Sequence, residues 1–148
     1  MRHLVMAVVI SAACVGAGPA QAQQFYRNSD AIPSSGRDLD FLEACWSAIR
    51  SELDGHPIQQ EAIMVPQYSP LTERRKARYG LTGPVAGMVY ADTTMVVWTT
   101  DNAGVAFPLA LRCEAPIDPR APDFARIHLS EDQSLNPNIP PEARPPRE

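Results

Sequence analysis

Residues 94–113 read TMVVWTTDNAGVAFPLALRC, and this stretch predicts a β-hairpin. Its first seven residues are mostly β-branched or aromatic, the side chains that strands favour. The turn over residues 101–104 ends in Gly104, which can adopt the positive φ that short hairpin loops often need. Beyond the turn, larger apolar residues alternate with alanine, proline and arginine as far as Cys113, which predicts a strand with one buried face. Pro108 lacks a backbone donor, so we expect a sheet edge there or a position that faces away from its neighbour.

Upstream of the hairpin, the sequence predicts two helices. Residues 38–54 place apolar side chains at helical spacing, which is typical of an amphipathic helix with one buried face. Residues 35–38 form a candidate capping box at its start, and Gly55 ends it. A shorter helix with few apolar residues is predicted from an N-cap at Ser69 to a stop at Gly80.

One further strand completes the predicted sheet. Residues 86–91 are mostly apolar and are separated from the hairpin by a predicted turn at residues 92–93. Residues 60–65 fit either a brief strand or a connector. We therefore expect an α+β fold: a small two-layer domain in which one long and one short helix pack on a three-stranded antiparallel meander sheet.

The first 22 residues have the pattern of a secretory signal peptide. A short basic start precedes an apolar run that is shorter than the ~20 residues needed to span a bilayer. Residues 20–22, Ala-Gln-Ala, form a small-x-small cleavage site, so Gln23 is the predicted first residue of the mature chain. We expect a periplasmic or secreted protein with no transmembrane segment in its mature chain. The alternative is lipidation at Cys14, which would anchor the protein to a membrane.

The two cysteines that remain after cleavage predict a disulfide. Cys45 lies on the apolar stripe of the long helix, and Cys113 lies on the apolar face of the last strand, so both point into one core. In the chain-entropy model, a bridge across this much sequence stabilises a fold by roughly 4 kcal/mol. Two free thiols would be unusual in an oxidising compartment.

The chain is predicted to contain one small domain. We divide it into the signal peptide (1–22), an extended mature N-terminus (23–37), the α+β domain (38–114) and a C-terminal tail (115–148). Eight of the 15 prolines fall in the tail, which predicts a Pro-rich, partly disordered segment. Without the leader, 12 basic residues face 17 acidic ones, a formal charge of −5 that argues against nucleic acid as a partner.

The sequence predicts no catalytic residue, cofactor or metal site. The mature chain has two histidines: His56 follows the end of the long helix, and His128 lies in the Pro-rich tail. Each is expected in a turn or on the surface rather than beside a nucleophile. The mature cysteines are assigned to the disulfide, and no cluster has the spacing of a zinc site.

One basic cluster in this acidic chain invites a functional interpretation: Arg74, Arg75, Lys76 and Arg78. Arg74 and Arg78 are four apart on the predicted short helix, a spacing that costs a few tenths of a kcal/mol unless an anion offsets it. The ordinary explanation is a solvated helix end, or pairing with acids elsewhere in the fold. The functional alternative is a docking patch for an envelope protein or another anionic envelope component. Trp98 is the second partner-binding candidate, although core packing is the default for a tryptophan.

These features predict an exported, disulfide-stapled bacterial protein that binds a partner or assists other proteins and has no catalysis of its own. Two alternatives stay open. One is a small envelope hydrolase that uses His56, and the other is a structural envelope protein or lipoprotein.

We expect the mature chain to begin at Gln23, because residues 20–22 form a better cleavage site than the residues before Cys14. Intact-mass measurement of the protein recovered from its native host checks this. A mass that includes a diacylglyceryl group on Cys14 would contradict the prediction and make the protein membrane-anchored.

Overall fold

The computed structural model describes residues 25–26, 32–119, 124 and 126–146. The predicted leader, the predicted start at Gln23 and the candidate lipidation site Cys14 lie outside these residues. Within them, the chain forms an α+β fold with an antiparallel sheet and two α-helices, so the predicted class is confirmed. The sheet has six strands rather than the predicted three.

The two helices precede the long hairpin and are separated by two short strands. In order they are β1 (Phe25–Tyr26), α1 (Arg37–Glu52), β2 (Gln59–Met64), β3 (Gln67–Pro70), α2 (Glu73–Arg78), β4 (Val89–Thr100), β5 (Ala106–Ile117) and β6 (His128–Glu131), followed by a 3-10 helix (Pro141–Ala143). The sheet order is β1-β2-β4-β5-β6. β3 pairs with the part of β4 that β2 does not reach.

β4 and β5 form the predicted hairpin. The two strands pair continuously along all 12 residues of each. In the turn, the Asp101 carboxylate accepts hydrogen bonds from the backbone N–H groups of Ala103 and Val105. Gly104 has a φ of 80°, a conformation that glycine adopts without a steric penalty.

Residues 92–93 do not form the predicted turn, because they lie buried inside β4. The Thr93 hydroxyl donates to the backbone carbonyl of Met64, and the Asp92 carboxylate accepts from Arg112. Since both polar side chains have partners within the fold, the strand can continue through them. The predicted first strand and the first arm of the hairpin are therefore parts of one strand.

One of the additional strands, β2, comes largely from residues 60–65, the segment whose sequence fits either a strand or a connector. β2 pairs with residues 95–98 of β4, and β3 pairs with residues 89–92 on the same side. Pro66 lies between β2 and β3 and has no N–H to donate, so the pairing is interrupted there.

α1 confirms the predicted amphipathic helix, but its start differs in detail. Its buried residues are Phe41, Leu42, Cys45 and Ile49. Gly36 is the N-cap with a φ of 96°, and no side chain caps the helix, so the expected capping box is not formed. Gly55, with a φ of 81°, lies just beyond the end of the helix, as expected.

α2 begins later than expected. Ser69, the predicted N-cap, belongs to β3 because its segment pairs with β4. Thr72 is the N-cap instead, and its hydroxyl accepts a hydrogen bond from the Arg75 N–H. The helix is only six residues long and has no buried residue, in line with its polar sequence.

The two helices lie against opposite faces of the sheet. Successive strand residues point to opposite faces, and α1 is bonded to Cys113 whereas α2 contacts Glu114. The predicted two-layer arrangement therefore gives way to a sheet with a helix on each side. The apolar core is on the α1 side and includes Phe41, Ile49, Ile63, Met95, Val97 and Leu111.

The sheet extends beyond residue 114, the predicted boundary of the domain. β5 continues past this position, and β6 pairs with residues 111–114. The chain then donates hydrogen bonds to β5 carbonyls through the Asp132 N–H and the Asn138 side chain. Pro108 accepts the bond from Asn138 and lies outside the part of β5 that pairs with β6, in line with the expected edge position.

The predicted disulfide joins α1 to β5. The Cα atoms of Cys45 and Cys113 are 5.9 Å apart, and both residues are fully buried. The bridge spans 68 residues of sequence and crosses the apolar core, so it holds the helix directly on the sheet.

We expect replacement of both cysteines by alanine to lower the free energy of unfolding by about 2–5 kcal/mol, because the unfolded chain regains the freedom that the bridge removes. Urea denaturation of the oxidised protein, the reduced protein and the variant checks this. The reduced protein should resemble the variant. Equal denaturation midpoints for the oxidised protein and the variant would contradict the prediction.

Candidate functional site

Two of the four basic residues of α2 converge on a buried carboxylate. Glu114 of β5 is fully buried, and both of its oxygens are paired with arginine. Arg75 donates to Oε1, and Arg78 donates to Oε2 at 3.0 Å. Arg112 Nη2 lies 3.2 Å from Oε1. We call Asp92, Glu114, Arg75, Arg78 and Arg112 the ionic cluster.

The register of β4 and β5 explains why this cluster exists. Asp92 lies directly opposite Glu114, so two acids face each other on the same side of the sheet. Like charges in this position repel and destabilise a sheet. Arg112 offsets the repulsion, since its guanidinium donates to both Asp92 oxygens at 3.1 and 2.9 Å and also contacts Glu114.

α2 supplies the remaining positive charge. The Arg75 guanidinium lies over the Tyr90 ring, 4.2 Å from the ring centroid, while it also pairs with Glu114. This stacking fixes the direction of the side chain as well as its charge. The unfavourable spacing of cations on α2 is therefore offset within the fold, by an acid that is distant in sequence.

The arginines keep Glu114 ionised. Burial by itself raises the pKa of a carboxyl group, but the charges of Arg112 and Arg75 and the hydrogen bonds from Arg78 and Arg75 outweigh it. The pKa of Glu114 is therefore below its usual value. Burial and the nearby Glu114 charge raise the pKa of Tyr79 to about 12, so this tyrosine keeps its proton at neutral pH.

The other partner-binding candidates lie in different surroundings. Lys76 forms an ion pair with Glu73, whose side chain is 72% exposed, and Arg74 is exposed on the same helix. Trp98 is 40% exposed, and its indole N–H donates to Glu61 at 2.8 Å. Trp98 lies six positions along β4 from Asp92, roughly 20 Å away. The structure therefore does not bring Trp98 and the basic cluster together.

A cleft of about 380 Å³ opens beside the ionic cluster. Arg78 and His128 line it, and so do Glu131 and Asp132. The His128 ring packs edge-on against Tyr79, with the ring centroids 6.3 Å apart. Because charges of both signs line the cleft, it is poorly suited to selecting an anion by charge alone.

His56 lies at a separate cavity of about 290 Å³ at the end of α1. Its neighbours there include Asp54, but no described lining residue carries a hydroxyl or thiol that could act as a nucleophile.

In the described residues, no three or more His, Cys, Asp or Glu side chains are grouped to hold a metal ion. None of the helices in the described part of the chain combines the length and apolar character needed to cross a membrane.

Sequence reasoning missed the acidic half of the ionic cluster. The signal was present in β5, where Arg112 and Glu114 flank the apolar Cys113. Charged residues at alternate positions of an otherwise apolar strand indicate a second face that is either solvated or paired. Only the strand register and the position of α2 show that it is paired.

Comparisons with known protein families, curated proteins and solved structures find no match to this chain. Its function is therefore inferred from its own residues.

We expect Glu114→Gln to lower the free energy of unfolding by up to about 3–5 kcal/mol at neutral pH, because three partly buried arginines lose the countercharge that they share. The native pKa of Glu114 is depressed, so its stabilisation is present above the ordinary pKa of a glutamate and is lost as pH falls through the native value. The difference between wild type and variant should therefore shrink on acidification.

Urea denaturation at a series of pH values measures this difference. Glu73→Gln is the matched control, because Glu73 is largely exposed and exposed substitutions usually change stability by no more than about 0.5 kcal/mol. A difference for Glu114→Gln that stays constant from neutral to acidic pH would contradict the assigned role.

Proposed function

We propose that this chain is an exported binding or accessory protein of the bacterial envelope, without catalysis of its own. The observation that carries the proposal is the buried Cys45–Cys113 disulfide, which connects the long helix to the sheet through the core. Structural disulfides persist in oxidising compartments and are rare in the cytosol. The bridge therefore agrees with the secretory pattern of residues 1–22.

Support for a binding role comes from what the reactive side chains do. Both described cysteines are in the disulfide, and the charged groups of the ionic cluster are paired with one another. Breaking such pairing is costly, which leaves these groups poorly placed to exchange protons with a substrate. The hydrolase alternative has less support, because the described lining of the His56 cavity holds an acid but no nucleophile.

We assign partner docking to the outward side of α2. The helix carries four basic residues and one acid in a chain of formal charge −4. Arg75 and Arg78 hold the helix in place through Glu114, while Lys76 and Glu73 form a pair at the surface. The Glu73 side chain is 72% exposed and the Lys76 side chain 20% exposed. An ion pair open to solvent on one side contributes about 0–1 kcal/mol, so we expect that either side chain can be neutralised without loss of the fold. An anionic envelope component is the partner that this surface suits.

Two single substitutions on α2 test the docking surface in opposite directions. Lys76→Gln removes a positive charge, whereas Glu73→Gln removes the negative charge beside it. A cation near an anionic membrane surface contributes about 1 kcal/mol, or roughly fivefold in affinity. We therefore expect Lys76→Gln to weaken binding to phosphatidylglycerol vesicles about fivefold and Glu73→Gln to strengthen it.

Vesicle sedimentation at low and physiological salt measures both effects, and circular dichroism checks that the two variants remain folded. Binding should also weaken as salt rises, because exposed charges are screened. Equal binding by wild type and both variants would contradict docking through α2. Recovery of the chain from the cytosol with free thiols would contradict the proposed compartment.

A further inference from the structure

The cavity at the end of α1 is formed by one continuous stretch of chain. α1 ends at Glu52, and Leu53 follows as its C-cap. Gly55 then reverses the chain with a φ of 81°, and the His56 N–H donates to the Leu53 carbonyl at 3.0 Å. This turn brings the residues that lead into β2 back beside the last turns of the helix.

The lining combines an apolar wall with a polar rim. Trp46, Leu53 and Ile58 are partly buried and pack against the hydrophobic core. Arg50 and Asp54 are exposed at the rim, and His56 is partly buried between the rim and the wall. The Arg50 guanidinium carbon lies 5.2 Å from the centroid of the Trp46 ring, so a cation and an aromatic ring border the same space.

We propose that this cavity binds one ring of a neutral saccharide. A sugar ring presents a face of C–H groups that packs on an aromatic or aliphatic wall, and hydroxyls around its edge that need donors and acceptors. Leu53, Ile58 and the Trp46 ring, which Arg50 covers in part, supply the wall. Arg50 donates hydrogen bonds, Asp54 accepts them, and the imidazole of His56 does both in its neutral form.

Charge and size favour this ligand class over others. The formal charges of Arg50 and Asp54 cancel, so the rim selects neither an anion nor a cation. A volume of about 290 Å³ is at the small end of ligand pockets, which suits one sugar ring better than a larger molecule. A purely apolar ligand would cover Arg50 and Asp54 without replacing their hydrogen bonds to water, which is unfavourable.

The chain has two tryptophans, which makes a direct fluorescence test possible. Trp98→Phe leaves Trp46 as the reporter of the cavity and replaces a partly exposed ring with another ring. We expect its emission to change saturably during titration with a neutral oligosaccharide, with a Kd near the millimolar range. The probes are chitotriose and maltotriose, with glucuronate as the anionic sugar and adenosine as a planar ligand that is not a simple sugar.

Three further substitutions in the Trp98→Phe background assign the binding to the rim. Arg50→Gln and Asp54→Asn each remove hydrogen-bonding capacity from the cavity, and each should weaken saccharide binding about fivefold. Glu52→Gln is the matched control, because Glu52 is also an exposed acid at the end of α1 but does not line the cavity. Its affinity should equal that of the parent.

Several outcomes would overturn the proposal. They are no saturable change with either neutral oligosaccharide up to about 10 mM, tighter binding of glucuronate or adenosine, and equal weakening by Glu52→Gln. The cavity is separate from α2, and its test does not depend on the proposed docking surface. A failure here would leave the vesicle and localisation results to decide the proposed function.

Discussion

Two carboxylates that face each other across adjacent strands set the main constraint on this fold. Asp92 and Glu114 occupy opposite positions in the β4–β5 register, and both are buried. The strands can pair in this register only if positive charge reaches the space between the acids. Arg112 supplies part of it from within the sheet, and α2 supplies the rest. The docking of a six-residue helix with no buried residue of its own thus depends on charge as well as on the buried side chains of Leu71 and Tyr79, which flank it.

Adjacent residues of β5 anchor the two helices by different chemistry. Cys113 bonds to α1 on the apolar face, while Glu114 pairs with α2 on the polar face. The disulfide is sensitive to reductants, whereas the ionic cluster is sensitive to protonation of Glu114. An environment that is oxidising but variable in pH would therefore preserve the attachment of α1 and act mainly on α2. The two sides of one sheet respond to different changes in their surroundings.

Local patterns explain which elements could be predicted from the sequence. The hairpin turn and α1 depend on residues close together in the chain, through Gly104 and the helical repeat that contains Cys45. The pairs between α2 and Glu114 join residues 36 to 39 positions apart, and no local pattern encodes such a partner. The same limit explains the error at residues 92–93. By itself, an Asp-Thr pair is typical of a turn. Here the pair lies within a strand, because Arg112 and the Met64 carbonyl, both distant in sequence, form hydrogen bonds with the two side chains.

The ion pairs between α2 and Glu114 limit which partners could bind at the proposed docking surface. Arg75 and Arg78 are committed to Glu114, so a partner that displaced them would leave a buried carboxylate without its countercharges. That loss would offset much of the binding energy, since breaking a buried ion pair costs about 3–5 kcal/mol. A partner that leaves these contacts intact must instead meet the outward side of the helix, where charges are exposed and each contributes little. Binding through α2 should therefore be weak per contact and sensitive to salt, which suits a polyanionic surface with many equivalent charges better than a small anion held at one point.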